Sequence, residues 1–176
     1  DLEKYINPRT KVIILNSPSN PAGSVYTEDE LRQIAKICVE KKIFVISDEI
    51  YEKIIFDNLK HISIAAFGKD IYNLTITVNG LSKSHSMTGW RIGYLAGPAD
   101  IVNAVSKLQD HSTSNPASIS QKAAVAALNA PDDFSKRMSC EFQKRRDYAI
   151  ERLNGIKEIG FVKPKGAFYI FCDISK

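Results

Sequence analysis

The first half of the chain alternates short apolar runs with a helical pattern. Residues 11–15 and 44–47 are apolar runs of strand length. The segment between them carries apolar side chains at helical spacing: Leu31, Ile34, Ala35, Cys38 and Val39. Thr27 and Glu30 stand three residues apart just before that pattern, which predicts a capping box at the start of a helix. The order is therefore strand, helix, strand.

Two further strands are predicted at residues 74–78, which are rich in β-branched side chains, and at residues 92–96. The first two strands are apolar and do not alternate with polar positions, which indicates a sheet covered on both faces. Strands joined by helices indicate mostly parallel pairing. The expected fold class is α/β with a mostly parallel sheet.

Helical patterns dominate after residue 98. The apolar spacing predicts helices over residues 99–110 and 116–128, and a long charged helix over residues 132–154 that stops at Gly155. Residues 2–9 are read as the tail of a helix that enters a turn. Two late apolar runs lie at residues 161–162 and 168–171.

Composition and charge narrow the possible partners. Of the 176 residues, 44% are apolar and 25% are charged, as in ordinary globular proteins, and the net charge is only +4. The basic cluster Lys144-Arg145-Arg146 is interpreted as a solvated helix face, so no nucleic-acid partner is expected. No apolar run is long enough to cross a bilayer. Three isolated cysteines indicate neither disulfides nor zinc, and favour a reducing cytoplasm.

The most informative segment is residues 79–93, where Lys83 lies among small residues eight positions before Arg91. A lysine that forms a Schiff base with a flat ring needs small neighbours. An arginine can hold a phosphate dianion through two parallel N–H bonds. Together they indicate pyridoxal phosphate, which is both an aldehyde and a phosphate ester. Lys83 considered alone would be an exposed turn residue.

Two other segments strengthen this interpretation. Asn20 lies in the loop of residues 16–23, directly after the first apolar run, and Asp48 ends the second run with Tyr51 three residues later. In this order and spacing, the three segments resemble the class I/II aminotransferases, a fold-type I family of pyridoxal phosphate enzymes. The sequence of residues 87–94 is most similar to that of the prokaryotic-type, aspartate aminotransferase-like branch. The resemblance extends over residues 1–176.

The resemblance implies three catalytic residues. Lys83 would bind the cofactor aldehyde and then serve as the general base that moves the substrate α-proton. Asp48 would pair with the pyridine nitrogen and keep it protonated. Tyr51, together with Asn20, would donate to the ring oxygen. Considered without the family, Asp48 could equally be a helix N-cap, Asn20 a turn residue before proline and Tyr51 a core tyrosine.

The resemblance also implies that Arg91 anchors the cofactor phosphate, with the Ser82 hydroxyl beside it. Relatives often carry a serine three residues before the lysine, where this chain has Gly80, so a backbone N–H would replace one bond. The Asn20–Pro21 peptide is expected to be cis. Glu49 is expected to be structural. No metal site is expected, because no histidine has metal-ligand spacing and His85 is expected to lie away from the cofactor.

The resemblance implies that residues 1–150 are part of the cofactor-binding large domain, including its linking helix, and that residues 151–176 begin the small α+β domain. Residues 161–162 and 168–171 would then be the first strands of that smaller domain. Relatives bind the substrate carboxylate with an arginine well beyond Phe171, and no arginine follows Arg152. The chain is therefore expected to be an inactive piece of a longer enzyme. That enzyme would be a cytoplasmic homodimer acting on an amino acid and a 2-oxo acid.

Two alternatives stay open at this point. A carbon–sulfur lyase or a cyclopropane-carboxylate synthase would keep the cofactor and change the reaction. A folded module without catalysis would keep only the architecture.

Overall fold

A computed structural model describes residues 2–175; Asp1 and Lys176, at the ends of the two predicted domains, lie outside the described residues. The main sheet has the order β1–β2–β3–β4, formed by Val12–Asn16, Phe44–Asp48, Thr75–Gly80 and Gly93–Ala96. The first three strands are parallel, and β4 is antiparallel to β3. The predicted α/β fold with a mostly parallel sheet is confirmed.

Helix α1, Glu28–Lys41, connects β1 to β2 and begins at the predicted capping box. The Thr27 N–H donates to the Glu30 carboxylate at 2.8 Å, and the Glu30 N–H donates to the Thr27 hydroxyl at 3.3 Å. One face of α1 packs on the sheet and forms a buried cluster. Its members are Leu15, Leu31, Ala35, Cys38, Val45, Ile64 and Ile71. Each large apolar side chain buried in this way contributes about 1.5–3 kcal/mol.

The remaining helices are α2 (Lys69–Tyr72), α3 (Leu81–Ser84), α4 (Ala99–Ser112), α5 (Ser118–Asn129) and α6 (Asp133–Leu153). The last three confirm the predicted helices to within two residues at each end. Residues Leu2–Tyr5 form a 3-10 helix that leads into a turn. No helix among residues 2–175 is long and apolar enough to span a membrane.

The prediction of a strand at residues 168–171 is wrong. The second, two-stranded sheet pairs β5, Gly160–Phe161, with β6, Cys172–Asp173. Phe168 and Tyr169 pack their rings beside Tyr51 and Phe142, whereas Phe171 is exposed. An apolar run that packs as a ring cluster has the same composition in sequence as a strand. Phe168 stacks on Phe142 with ring centres 5.2 Å apart. Ala167 has a φ of 57°, so the backbone leaves the extended region just before them.

The interpretation of Lys144-Arg145-Arg146 as a solvated face is wrong for Arg146. Lys144 and Arg145 are exposed, but Arg146 is only 5% exposed. Its guanidinium donates to both Asp57 carboxylate oxygens at 2.7 and 2.8 Å, and to the Pro164 carbonyl at 3.0 Å. It also lies over the Phe56 ring. Arg146 therefore fixes α6 to Phe56 and Asp57 on one side and to Pro164 on the other. The predicted domain boundary at residue 150 stays a prediction.

Candidate active site

The carboxyl ends of β1, β2 and β3 meet at one edge of the sheet. Asn16 pairs with Asp48, and Asp48 pairs with Val78 in the next strand. Open α/β sheets bind their ligands at this edge, because loops from neighbouring strands converge there. Three of the sequence-predicted residues, Asn20, Asp48 and Lys83, follow or end these strands. The fold thus brings together segments that lie far apart in sequence.

Asn16 ties the Asn20 loop to this edge. Its side-chain amide donates to the Asp48 carbonyl at 3.3 Å, and its amide oxygen accepts from the Asn20 backbone N–H at 2.7 Å. The Asn20–Pro21 peptide is cis, as predicted, and the Ser17–Pro18 peptide is cis as well. Sequence reasoning missed Asn16, although a polar residue that ends an apolar run is the same signal that singled out Asp48.

The Asn20 loop, residues 16–23, also contacts residues 164–167 through hydrogen bonds and close packing. The Gly23 carbonyl accepts from the backbone N–H groups of Lys165 and Gly166 at 2.8 and 3.0 Å. Gly23 has a φ of 65°, and a Cβ there would overlap Pro164. A Cβ on Gly166 would lie 2.7 Å from the Cβ of Pro18. Two glycine–proline contacts therefore let the two backbones approach closely.

The Asp48 carboxylate sits half-buried at the end of β2. One of its oxygens accepts from the Ile50 N–H at 3.2 Å, and the other accepts no hydrogen bond from a described residue. Asp48 is not a helix N-cap, because residues 50–53 form turns and not a helix. One carboxylate oxygen is thus open to a ligand at the edge of the sheet.

Tyr51 is buried, and its hydroxyl lies 2.7 Å from the hydroxyl of Tyr169. Burial raises the pKa of Tyr51, and the hydrogen bond with Tyr169 and the negative charge of Asp48 act in the same direction. The Asn20 side chain lowers the pKa of Tyr51 and opposes these effects. The phenol therefore stays protonated at neutral pH and can act as a hydrogen-bond donor.

Lys83 lies in α3, which begins immediately after β3. Its Nζ is 5.7 Å from the ring centre of Tyr51 and 5.5 Å from that of Phe168. It makes no ion pair with a residue in the described range 2–175. The structure thus brings Lys83 and Tyr51 together, and adds Phe168, which sequence reasoning had assigned to a strand.

Arg91 and Ser82 are linked through Thr88. The Arg91 guanidinium donates to the Thr88 carbonyl at 2.9 Å, and the Thr88 hydroxyl donates to the Ser82 carbonyl at 3.0 Å. Arg91 is exposed and has a φ of 50°, a conformation that costs a non-glycine residue about 1–2 kcal/mol. Arg91 and Lys83 do not contact each other, but Thr88 joins the turn of Arg91 to the helix of Lys83.

Close packing against strand β4 explains why residue 80 is a glycine, and the sequence alone did not show this. Gly80 pairs with Gly93 across β3 and β4, and a Cβ on Gly80 would lie 3.0 Å from the Gly93 Cα and 3.1 Å from the Ile92 carbonyl. A serine at this position would require the two strands to move apart. The backbone of β4 therefore occupies the space that a side chain would need.

Glu49 is buried next to Asp48, and its carboxylate lies in a polar cluster. Ser47 and Ser63 donate to one oxygen at 2.9 and 2.6 Å, and the His61 ring lies 3.0 Å from the other. Burial raises the pKa of Glu49, but these hydrogen bonds outweigh it and leave the pKa below its ordinary value. Ligand atoms of Glu49, Glu52 and His61 lie within 4.8 Å of one another. The hydrogen bonds already explain this grouping, and the absence of a metal site stays a prediction.

Comparisons with known proteins agree with this architecture. The family model described as "Aminotransferase class I and II" matches residues 1–176. The chain is 50% identical over 175 residues to aspartate aminotransferase of Bacillus sp. (strain YM-2), covering 99% of this chain and 45% of that protein. It is 47% identical to a probable aspartate/prephenate aminotransferase of Aquifex aeolicus, with 99% and 45% covered.

Solved structures give the same result. The crystal structure of the aspartate aminotransferase from Rhizobium meliloti superposes with a TM-score of 0.95 at 41% identity, covering 99% of this chain and 44% of that one. The family match and the superposition give the α/β fold of the pyridoxal phosphate-dependent aminotransferases. The chain belongs to the class I and II aminotransferase family. It spans less than half the length of the curated relatives it matches.

Proposed function

We propose that this chain supplies the lysine-bearing part of the cofactor site of an aminotransferase, which moves an amino group from an amino acid to a 2-oxo acid. One observation carries the proposal: Lys83 and Tyr51 lie together, and Tyr51 interacts with both Asp48 and Asn20, at the carboxyl edge of the sheet. The names of the relatives support the reaction, and aspartate is the amino acid that those names suggest.

The donor set matches the chemical groups of pyridoxal phosphate. Lys83 offers an amine for the aldehyde, and Asp48 offers an open carboxylate oxygen for the pyridine nitrogen. Tyr51 and Asn20 would donate to the ring oxygen, and Arg91 and Ser82 would hold the phosphate. When bound, the cofactor supplies an electron sink that stabilises negative charge on the substrate α-carbon.

The side chains of this site then have separate tasks. Lys83 would be the general base that takes the proton from the substrate α-carbon and passes it to the cofactor. The Asp48 carboxylate would pair with the pyridine nitrogen and favour its protonated form. Phe168 covers one side of Lys83 and limits the access of water to its amine.

Other properties of the whole protein belong to the same proposal. We infer a homodimer in a reducing cytoplasm, with a cofactor domain over residues 1–150 and a smaller domain that begins at residue 151. The free thiols of Cys38, Cys140 and Cys172 support the reducing compartment. The end of α6 at Leu153 and the separate pairing of β5 with β6 support the boundary.

Borohydride reduction tests the proposal in the protein encoded by the complete reading frame. Reduction in the presence of pyridoxal phosphate, followed by peptide mapping, should place the cofactor on Lys83. Lys83→Ala should lose the visible absorption and turnover of aspartate with 2-oxoglutarate, whereas Lys107→Ala on the exposed face of α4 should lose neither. A cofactor mapped to another lysine would refute the assignment. The 176-residue chain alone should not turn over these substrates.

A further inference from the structure

The bond between Tyr51 and Tyr169 joins two regions that are far apart in sequence. Tyr51 follows β2, and Tyr169 lies in the segment between β5 and β6. Their hydroxyl oxygens are 2.7 Å apart, and either hydroxyl can be the donor. No role was predicted for Tyr169 from the sequence, because residues 168–171 were interpreted as a strand.

The backbone fixes Tyr169 beside Tyr51. The Ala167 N–H donates to the Ile54 carbonyl, and the Phe56 N–H donates to the Lys165 carbonyl, each at 2.9 Å. The ring of Tyr169 meets that of Tyr51 edge to face, with centres 5.8 Å apart. Phe168 makes the same kind of contact at 5.3 Å. Tyr169 is therefore held in place by contacts that do not depend on its own hydroxyl.

A phenol has one proton to donate and two lone pairs that accept. Tyr51 can therefore donate a hydrogen bond either to Tyr169 or to a ligand at the sheet edge, but not to both. Without a ligand, the arrangement that raises the Tyr51 pKa is the one in which Tyr51 donates to Tyr169. When a ligand at the sheet edge accepts the Tyr51 proton, the bond reverses and Tyr169 donates to the Tyr51 oxygen. Hydrogen bonds in such a chain polarise one another and strengthen the terminal donor.

We propose that Tyr169 is a positioning residue for Tyr51: its hydroxyl donates to the Tyr51 oxygen and directs the single Tyr51 proton toward the cofactor ring oxygen. This inference rests on the proposed function, because it assigns Tyr51 as a donor to pyridoxal phosphate. Tyr169 itself does not contact the cofactor in this arrangement. Its effect passes through Tyr51.

The measurable consequence is the pH midpoint of the visible absorption change of lysine-bound pyridoxal phosphate. A donor at the ring oxygen stabilises negative charge there, favours the deprotonated form and lowers the midpoint. Tyr51→Phe should therefore raise the midpoint by about 1 pH unit. Tyr169→Phe should raise it by about 0.3 of a unit, because only the polarisation and alignment of Tyr51 are lost.

The decisive test is a double-mutant cycle in the protein from the complete reading frame. Tyr169→Phe should shift the midpoint in the native background and add no shift when Tyr51 is already phenylalanine. Tyr148→Phe, on an exposed turn of α6, should leave the midpoint unchanged. A shift by Tyr169→Phe of the same size in both backgrounds, or no shift at all, would overturn the positioning role.

The failure of the proposed function would look different. If borohydride does not fix the cofactor on Lys83 in the native sequence, both the function and the role of Tyr169 are wrong. If Lys83 is labelled normally in every variant and the midpoints agree, only the role of Tyr169 is wrong. A tyrosine 13Cζ NMR spectrum without cofactor adds a second readout, in which Tyr169→Phe should move the Tyr51 signal and Tyr148→Phe should not.

Discussion

Helices α1 and α4 are both 14 residues long and both amphipathic, yet they are packed very differently. Helix α1 buries Leu31, Ala35 and Cys38 against the sheet, whereas α4 has no buried residue. Leu108 of α4 is 69% exposed, and Ile119 of α5 is 71% exposed. The same periodicity therefore predicts a helix in both cases but does not say what covers its apolar face.

Helix α6 gives a third case. Its sequence is rich in charged residues, but it is fixed to the rest of the chain by the buried side chain of Arg146. These three helices indicate that the contribution of a helix to the free energy of unfolding depends on the side chains it buries and not on its amphipathic pattern. Substitutions in the packed helices should therefore be costly, and matched substitutions in α4 should be silent.

The largest effect is expected from Asp57→Asn, which keeps the side-chain shape and removes the charge that faces Arg146. Breaking a buried ion pair leaves the other charge uncompensated and costs about 3–5 kcal/mol; the partial exposure of Asp57 and the second partner Asp147 place the expected loss near the lower end. Urea unfolding followed by circular dichroism measures it. Glu141→Gln, which breaks the exposed pair with Arg145, should cost less than about 1 kcal/mol.

The same pair predicts a pH dependence. Arg146 holds the pKa of Asp57 below its ordinary value, so the carboxylate stabilises the fold above the unfolded pKa of about 4 and loses this contribution as the pH falls through the lower folded pKa. Urea unfolding at pH 7 and at pH 3 should show a smaller acid loss of stability in Asp57→Asn than in the native sequence. Equal losses in the two proteins would contradict this assignment.

An effect of similar size is expected from Leu31→Ala in α1. Leu31 is 3% exposed and lies in the main buried cluster, so its truncation removes buried apolar area and leaves a cavity. Such changes cost about 2–5 kcal/mol. The free energy of unfolding in urea measures the loss. A loss below about 1 kcal/mol would mean that α1 is not the packed helix of this comparison.

A smaller effect is expected from Thr27→Ala, which removes one half of the capping box of α1. The Glu30 N–H would lose its acceptor, and the expected cost is about 1 kcal/mol. Thermal unfolding measures it, and Thr27→Ser should restore most of the stability, because serine also caps. A Thr27→Ser variant as unstable as the alanine variant would point to packing of the threonine methyl group instead.

The smallest effect is expected from Leu108→Ala in α4. Because Leu108 is exposed among the described residues, its truncation should change the free energy of unfolding by no more than about 0.5 kcal/mol. The measurement uses the 176-residue chain, in the same urea series as Leu31→Ala. A loss that approaches that of Leu31→Ala would remove the distinction between the two helices.

The sequence predicted those features that depend on local patterns. The capping box at Thr27 and Glu30 and the apolar strand runs were sufficient for α1 and the parallel strands. Asp48 and Lys83 could be found because each stands at or just after the end of an apolar run, where the family pattern places them. Local signals of this kind do not require knowledge of what packs against them.

The remaining features depend on contacts across the chain. Arg146 is buried because Asp57 lies opposite it, 89 positions earlier. Phe168 and Tyr169 pack beside Tyr51, but their apolar run has the same composition as a strand. Neither the burial of Arg146 nor the packing of these two rings can be predicted from the spacing of residues along the chain. The need for glycine at position 80 could not be predicted either, because it comes from the backbone of the neighbouring strand β4.

The two glycine–proline contacts between the Asn20 loop and residues 164–167 have a consequence for sequence drift. Gly23 faces Pro164, and Gly166 faces Pro18, so a side chain gained on either glycine collides with the other segment. Neither glycine can mutate alone without displacing the loop that carries Asn20 or the segment that carries Tyr169. The two segments are therefore expected to be inherited as one unit, and a chimera that exchanges only one of them should fold less well than one that exchanges both.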